Sequence, residues 1–346
     1  MKSMPLAAGT PRTATLQSIA EAAGVHRSTA ARALDSAQAH RISPEVVDKV
    51  RAEARRQGYR RDAIAASLRT GRSRLVGVVL PDLANPVFAP ILDGVGAALA
   101  GEGYSMLVAE GGADQARQIA IVEELIARRV DGLVLATVRR ADPILSVCLD
   151  AGVPTVLVNR AEDHLRAATV VSDDIGGMRL AVEHLVRLGH RRIGHLAGAE
   201  GLSTGVLRRQ GFEAAMVAAG LDASSIVVAP AYSRAEGQAA TAVLFDKWPD
   251  LTAIAASNDL LALGAYQEIK RRGLSCPDDV AVVGYNDMPL VDMVDPPLTT
   301  VRIAHAEMGQ AAARQLLERL AEPDVAACVQ LMPVELVVRA STREPK

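Results

Sequence analysis

Between Thr15 and Asp35 the chain reads as two short helix-prone segments joined at Gly24 and Val25. Small and apolar side chains at Ile19, Ala20, Val25, Ala30 and Leu34 let two such helices pack closely. His26, Arg27, Ser28, Thr29 and Arg32 then fall on the outer side of the second helix, where they offer hydrogen-bond donors and positive charge. Donors in that spacing suit the base edges and phosphates of a nucleic-acid duplex, the chemistry of a helix-turn-helix. Charge points the same way. The first 74 residues hold 14 Lys and Arg against 6 Asp and Glu, a net of +8, and the rest hold 24 against 34, a net of −10, which together give the −2 of the whole chain. A basic head on an acidic body is expected when one module neutralises phosphates and the other does not.

Other residues that could do chemistry fit less well. Gly201-Leu202-Ser203-Thr204-Gly205 matches a G-x-S-x-G nucleophile elbow, and a hydrolytic triad in that order needs a histidine downstream. Only His305 follows, and it is expected in a crossover between lobes rather than in a loop over the sheet. Glycine-rich amides at a helix start serve equally to hold a ligand oxygen. His184, His190 and His195 lack the i, i+4 spacing of a helical metal pair. Cys148, Cys276 and Cys328 are odd in number and far apart, so neither a disulfide framework nor a zinc site is supported, and reduced structural thiols are expected. No catalysis, cofactor or metal is therefore expected. Of nine aromatic residues only Tyr59 lies in the basic head, which leaves no stacking platform for single-stranded nucleic acid.

The elements that must position these residues follow from periodicity. At 346 residues, 49% of them hydrophobic, the chain has material for two or three folding units. No apolar run reaches the roughly 18 residues of a membrane span, and Met1 to Thr15 carries Lys2 and Arg12 without the apolar core of a signal peptide. A cytoplasmic location away from membranes is expected, which disfavours a secreted two-lobed carrier that reads no DNA. Ser43-Pro44 predicts a capped helix start, with Val46, Val47, Val50 and Ala54 as its apolar stripe before Gly58. The segment from Arg60 to Gly71 holds a helix-prone piece of about nine residues, below the roughly 12–15 at which an isolated helix is marginal.

From Leu75 apolar runs alternate with amphipathic helices. Strands are expected at Leu75–Leu80, Tyr104–Ala109, Gly132–Ala136 and Pro154–Val158, with helices near 88–101, 115–128 and 142–151. A second series places strands near 192–197, 226–229, 252–256 and 280–284 and helices near 175–188, 205–219, 234–247 and 259–272. Two similar lobes with doubly wound parallel sheets are implied. Such sheets bind ligands beyond the carboxyl ends of their strands, which directs attention to the loops after Leu80, Val158, Ala197, Ala256 and Gly284.

The helix-turn-helix, the segment Ala63–Leu68, and the phrases Asn85-Pro86-Val87-Phe88, Arg129-Val130-Asp131-Gly132-Leu133-Val134, Glu183-His184-Leu185-Val186-Arg187-Leu188-Gly189-His190, Asn258-Asp259 and Pro296-Pro297-Leu298-Thr299-Thr300-Val301 together resemble the lactose/galactose repressor family. The resemblance spans about residues 15–342. It implies an all-α helix-turn-helix DNA-binding head joined by a hinge helix to an α/β two-lobed, periplasmic-binding-protein-like (type I) effector domain. The head would occupy residues 1–60, with its core at 15–58, the hinge 61–74, and the effector and dimerisation domain 75–346. Within the last, lobe 1 is expected at about 75–173 and 305–332, and lobe 2 at about 174–301 and 333–342, with chain crossings near 160–174, 290–304 and 330–334.

The same resemblance implies a ligand-responsive transcriptional regulator, most often a repressor, that binds a palindromic operator. It carries base reading onto Arg27, Ser28 and Arg32, a backbone contact onto Thr29, and a minor-groove wedge onto Leu68. Three departures stand out: His26 and Ala31 where the family usually has serine, and Arg60-Arg61-Asp62 in place of an Asn/Pro-containing turn. Asn85, Phe88, Arg160, Thr204, Arg208, Tyr232, Asn258 and Asn286 would line the effector cleft, a set suited to a sugar, polyol or sugar acid. An acid often stands where Asn286 does, so Arg160 and Arg208 are expected to tilt the site positive unless Asp287 or Asp259 balances them. The chain ends at Lys346 without the heptad helix of the family's tetramers, and a homodimer is expected.

Overall fold

A computed structural model describes residues 14–35, 38–59 and 71–345. The chain divides into two compact units, Met1–Ser73 and Arg74–Lys346. The expected hinge helix at Ala63–Leu68, Leu68 itself and the Arg60–Asp62 departure lie outside the described residues.

The first unit contains α1 (Leu16–Ala23), α2 (Arg27–Ala33) and α3 (Pro44–Arg56). Thr15 caps α1 through a capping box with Ser18, and Gly24 ends it at φ 65°, a left-handed conformation that glycine adopts without a Cβ clash. Ser43 sits at the start of α3 in extended conformation, yet its side chain makes no cap hydrogen bond, so Pro44 alone carries the expected start signal. Ile19, Ala20, Ala23, Ala30, Ala33, Val47, Val50 and Ala54 bury a small core whose alanines let the three helices approach closely. The Ser18 hydroxyl also donates to Gln57 Oε1 at 2.9 Å, tying α1 to the end of α3.

The second unit holds two six-stranded sheets. The first sheet uses β1 (Leu75–Leu80), β2 (Ser105–Glu110), β3 (Gly132–Leu135), β4 (Thr155–Val158), β5 (Ala168–Ser172) and β11 (Val329–Met332), in the order β11-β5-β4-β3-β1-β2. The second uses β6 (Ile193–Ala197), β7 (Ile226–Val228), β8 (Ala253–Ala256), β9 (Ala281–Asn286), β10 (Thr299–Ile303) and β12 (Val334–Val337), in the order β12-β10-β9-β8-β6-β7. All pairings are parallel except β10 with β12. Lobe 1 carries α4 (Phe88–Gly101), α5 (Gln115–Ala127), α6 (Pro143–Asp150) and α11 (His305–Ala321). Lobe 2 carries α7 (Asp174–Arg187), α8 (Ser203–Ala218), α9 (Arg234–Lys247) and α10 (Asp259–Arg271). Apolar runs buried on both faces, such as Val76 to Leu80 and Ala281 to Tyr285, are what a helix-covered parallel sheet demands.

The crossings differ from expectation in detail. The segments expected as linkers near 160–174, 290–304 and 330–334 contain β5, β10, β11 and the first residue of β12, and the chain changes lobe at Asp173, Ala304 and Pro333. His305 is not in a crossover but is the first residue of α11.

Candidate functional site

On the head, Arg27, Ser28 and Arg32 are exposed along α2 and Thr29 is half-buried. His26 is the N-cap: its Nδ1 accepts the Ser28 N–H at 3.3 Å and lies 2.8 Å from the Ser28 hydroxyl. It thus caps α2 in the way a serine at this position could, and with Nδ1 accepting, the ring N–H sits on Nε2. Ala31 is half-buried beside this face.

In the body, the loops beyond the carboxyl ends of both sheets converge on one polar chamber. It is lined by Asn85, Val87 and Phe88 after β1, Asn159 and Arg160 after β4, Thr204 and Arg208 on α8, Tyr232 after β7, Asn258 at the start of α10 and Asn286 at the end of β9. All eight side chains named from the sequence meet there, joined by Val87 and Asn159. The chamber is narrow, about 20 Å3, little more than one water requires. An adjoining outer bay of about 420 Å3 shares Asn85, Arg160 and Tyr232 with it, a size in the range of small-molecule sites.

Several side chains are held by their own elements. Asn85 Oδ1 accepts the Val87 N–H at 3.2 Å, and Asn258 Oδ1 caps α10 by accepting the Leu261 N–H at 2.8 Å, so each amide keeps its NH2 for another partner. The Tyr232 hydroxyl donates to Thr204 Oγ1 at 3.2 Å. A Cβ on Gly198 would come within 2.1 Å of that tyrosine oxygen, so only glycine admits the ring here. Asn159 and Asn286 hold φ of 66° and 112°, backbone strain of the kind that gathers at ligand sites.

The two arginines differ. Arg208 is 2% exposed. Its Nε donates to Asp174 Oδ1 at 2.8 Å, its Nη1 donates to the Ser257 carbonyl at 2.6 Å, and its plane lies 3.8 Å over the Tyr285 ring. Burial works to lower its pKa, and the Asp174 carboxylate leads the opposing influences that together hold the guanidinium above its ordinary range. Burial also pushes the Asp174 carboxyl up, yet a guanidinium at 2.8 Å that does not deprotonate keeps the two as an ion pair. Arg208 therefore contributes no net charge to the chamber, which corrects half of the expected positive tilt. The balancing acid is Asp174, not the two residues weighed from the sequence. Asp287 pairs with Arg302 and Arg339, and Asp259 accepts from the Thr300 hydroxyl and the Met288 amide while burial pushes it up to about 7. Arg160 keeps its charge unbalanced: its Nε is buried without a partner among the described residues, and burial pushes its pKa down to about 10.

Two hydrogen bonds join the lobes at the rim. The Arg140 N–H donates to the Gly201 carbonyl at 3.1 Å and the Ala161 N–H donates to Ser203 Oγ at 2.9 Å. The serine of the G-x-S-x-G phrase is thus a clasp between lobes. His184 meets the Thr342 hydroxyl, His190 meets Thr252 and the Arg343 carbonyl, and His195 meets the Ala255 carbonyl and Ser257, with burial pushing His195 down to about 4. Among the described residues no cluster of His, Cys, Asp and Glu could hold a metal, and no helix is long and apolar enough to cross a membrane.

Sequence reasoning missed Gln118 and Thr137, which line the outer bay. Gln118 occupies the face of α5 that buries Val122 and Leu125, and a polar residue in that stripe was the available signal. Thr137 follows β3, and the loop after that strand is not among those the sequence reading singles out.

The HTH-type transcriptional regulator CelR of Thermobifida fusca is 33% identical over 340 residues, spanning 95% of this chain and 98% of its own. The chain belongs to the lactose/galactose repressor family of transcriptional regulators. A family model described as a periplasmic binding protein-like domain matches residues 182–342. A solved CelR–cellobiose complex is 31% identical, with a TM-score of 0.74 over 95% of this chain and 100% of that one. A lac repressor dimer bound to operator and the anti-inducer ONPF is 28% identical, with a TM-score of 0.84 over 96% of this chain and 100% of that one. As a member of this family the protein is a DNA-binding regulator and not an enzyme, and Ser203 is a structural residue of its lobe interface.

Proposed function

We propose that the protein is a cytoplasmic repressor that binds a palindromic operator as a homodimer and is controlled by a small sugar, polyol or sugar acid in the cleft. Arg27, Ser28 and Arg32 read base edges, Thr29 and His26 grip the backbone, and Leu68 wedges the centre of the operator from a marginal hinge helix. Residues 1–60 form the reader, 61–74 the hinge and 75–346 the sensor. The observation that carries this reading is the convergence of hydrogen-bonding side chains from both lobes on a chamber whose rim is clasped by Ser203 and Gly201. A ligand larger than water enters the inner chamber only if the lobes move, so occupancy of the chamber and lobe arrangement are linked. In a dimer that movement changes the spacing of two hinge segments that have little stability of their own. Coupling is reciprocal: an effector that changes operator affinity tenfold is itself bound tenfold differently by the DNA complex, about 1.4 kcal/mol. The cellobiose complex of CelR and the operator-bound lac repressor dimer are consistent with each half.

The test is selection of bound duplexes from a random DNA library. A palindromic consensus with half-sites about one helical turn or a multiple apart is expected. Absence of any enriched sequence would overturn the reading.

A further inference from the structure

Four side-chain atoms around the cleft are buried and have no hydrogen-bond partner among the described residues: Arg160 Nε, Asn286 Oδ1, Gln118 Oε1 and Thr137 Oγ1. Orphaned buried polar atoms are rare, and each one costs free energy until something pairs with it. They fall into two groups. Asn286 faces the inner chamber, Gln118 and Thr137 face the outer bay, and Arg160 lines both.

Gln118 is 2% exposed and Thr137 is 1% exposed, so neither is a surface group. The Gln118 Nε2 donates to the Gly112 carbonyl at 2.7 Å. That bond fixes the amide with Oε1 as a free acceptor, since the flipped amide would set two acceptors together. A Cβ on Gly111 would meet Gln118 Cγ at 2.9 Å and Thr137 Cγ2 at 3.3 Å, so glycine there makes room for both side chains. Pro81, Ala113 and Leu202 add aliphatic walls that suit the C–H face of a sugar ring. The inner chamber alone, at about 20 Å3, has no room for such a ring, whereas the bay of about 420 Å3 does.

We propose that the outer bay is a second subsite of the effector cleft, in which Gln118 Oε1 and Thr137 Oγ1 take the hydroxyls of a second sugar unit. The effector is then a glycoside of at least two units. Its first unit engages the chamber groups Asn286 and Tyr232 once the lobes part, Arg160 meets the junction, and the second unit satisfies the lobe 1 pair. A single hexose leaves one group of orphaned atoms unpaired wherever it sits. This inference rests on the effector-cleft reading and refines it.

The test titrates the full chain calorimetrically with glucose and galactose and with cellobiose, maltose, lactose and melibiose. At least one disaccharide is expected to bind about tenfold or more tighter than either of its component hexoses. Gln118→Leu and Thr137→Val are each expected to weaken that disaccharide about tenfold. Equal thermal midpoints of variant and parent separate lost contact from lost fold, and either variant suffices if the other is unstable. Hexoses that bind as tightly as every disaccharide, no binding by any disaccharide, or affinities untouched in both variants would overturn the subsite. A disaccharide that binds through Gln118 yet leaves operator affinity unchanged would overturn the effector reading and leave the subsite standing.

Discussion

The reading helix of the head leaves its arginines in water, and the inner chamber draws its two arginines away from it. Arg27 and Arg32 stand exposed on α2, whereas Arg208 is sealed between Asp174, Ser257 and Tyr285 and Arg160 has its Nε buried. The difference follows from the two recognition problems. A phosphate backbone is met across a broad surface, and exposed charges attract it through solvent over a Debye length of about 8–10 Å. A small solute is held by few bonds, which gain strength only where the local dielectric is low. Residues of the first kind are expected to be dispensable for folding, and those of the second kind are part of the fold.

The largest effect that would break this contrast belongs to Arg208. Replacing it with methionine leaves Asp174 buried and unpaired, and a loss of about 3–5 kcal/mol in urea unfolding is expected. Replacing Asp174 with leucine in the same chain is expected to recover most of that loss. A single variant as stable as the parent would mean that the pair contributes nothing to the fold. An effector defect in an Arg208 variant is therefore no measure of a ligand contact. Arg160 is the better probe, because its removal breaks no ion pair among the described residues.

Arg32→Ala sharpens the other half. Operator affinity is expected to fall by about 1–3 kcal/mol in anisotropy titrations, with preference relaxed at one base pair. Stability should change by no more than about 0.5 kcal/mol, as for most exposed sites. A uniform loss across all sequences, with a shallower salt dependence, would instead make Arg32 a phosphate contact.

The same contrast governs what was legible in the sequence. The head reads easily because its signals are local: a capping threonine, a left-handed glycine and an alanine stripe. Strands such as Leu75–Leu80 read easily because both faces are buried and the run is purely apolar. β5, β10 and β11 are hard to see as strands in the sequence because they carry threonines or lie exposed at a sheet edge, and a single residue, Pro333, separates β11 from β12. α11 went unseen because its buried face is built largely from Ala311, Ala312 and Ala313, which give little apolar contrast. Residue types located the chamber wall, but pairing is a long-range property. That Asp174 balances Arg208, 34 positions away, emerges only when α7 packs on α8. Likewise Gln118 looks like a solvated helix residue until its face of α5 is known.

The smallest effect tests whether the buried side of the contrast is also the moving side. Ser203→Ala removes the acceptor for the Ala161 N–H and leaves the Arg140 to Gly201 bond as the remaining clasp described at the rim. A closed cleft then strands an amide that water pairs in an open one, so the substitution favours opening by about 1 kcal/mol, the net worth of one hydrogen bond. The expected signature is kinetic. Effector dissociation in stopped flow should accelerate roughly fivefold, with little change in association and with operator affinity in the absence of effector shifted by no more than that factor. An unchanged dissociation rate would place the lobe clasp elsewhere, and an unfolding midpoint that falls with it would mark Ser203 as a packing residue of α8 rather than a latch.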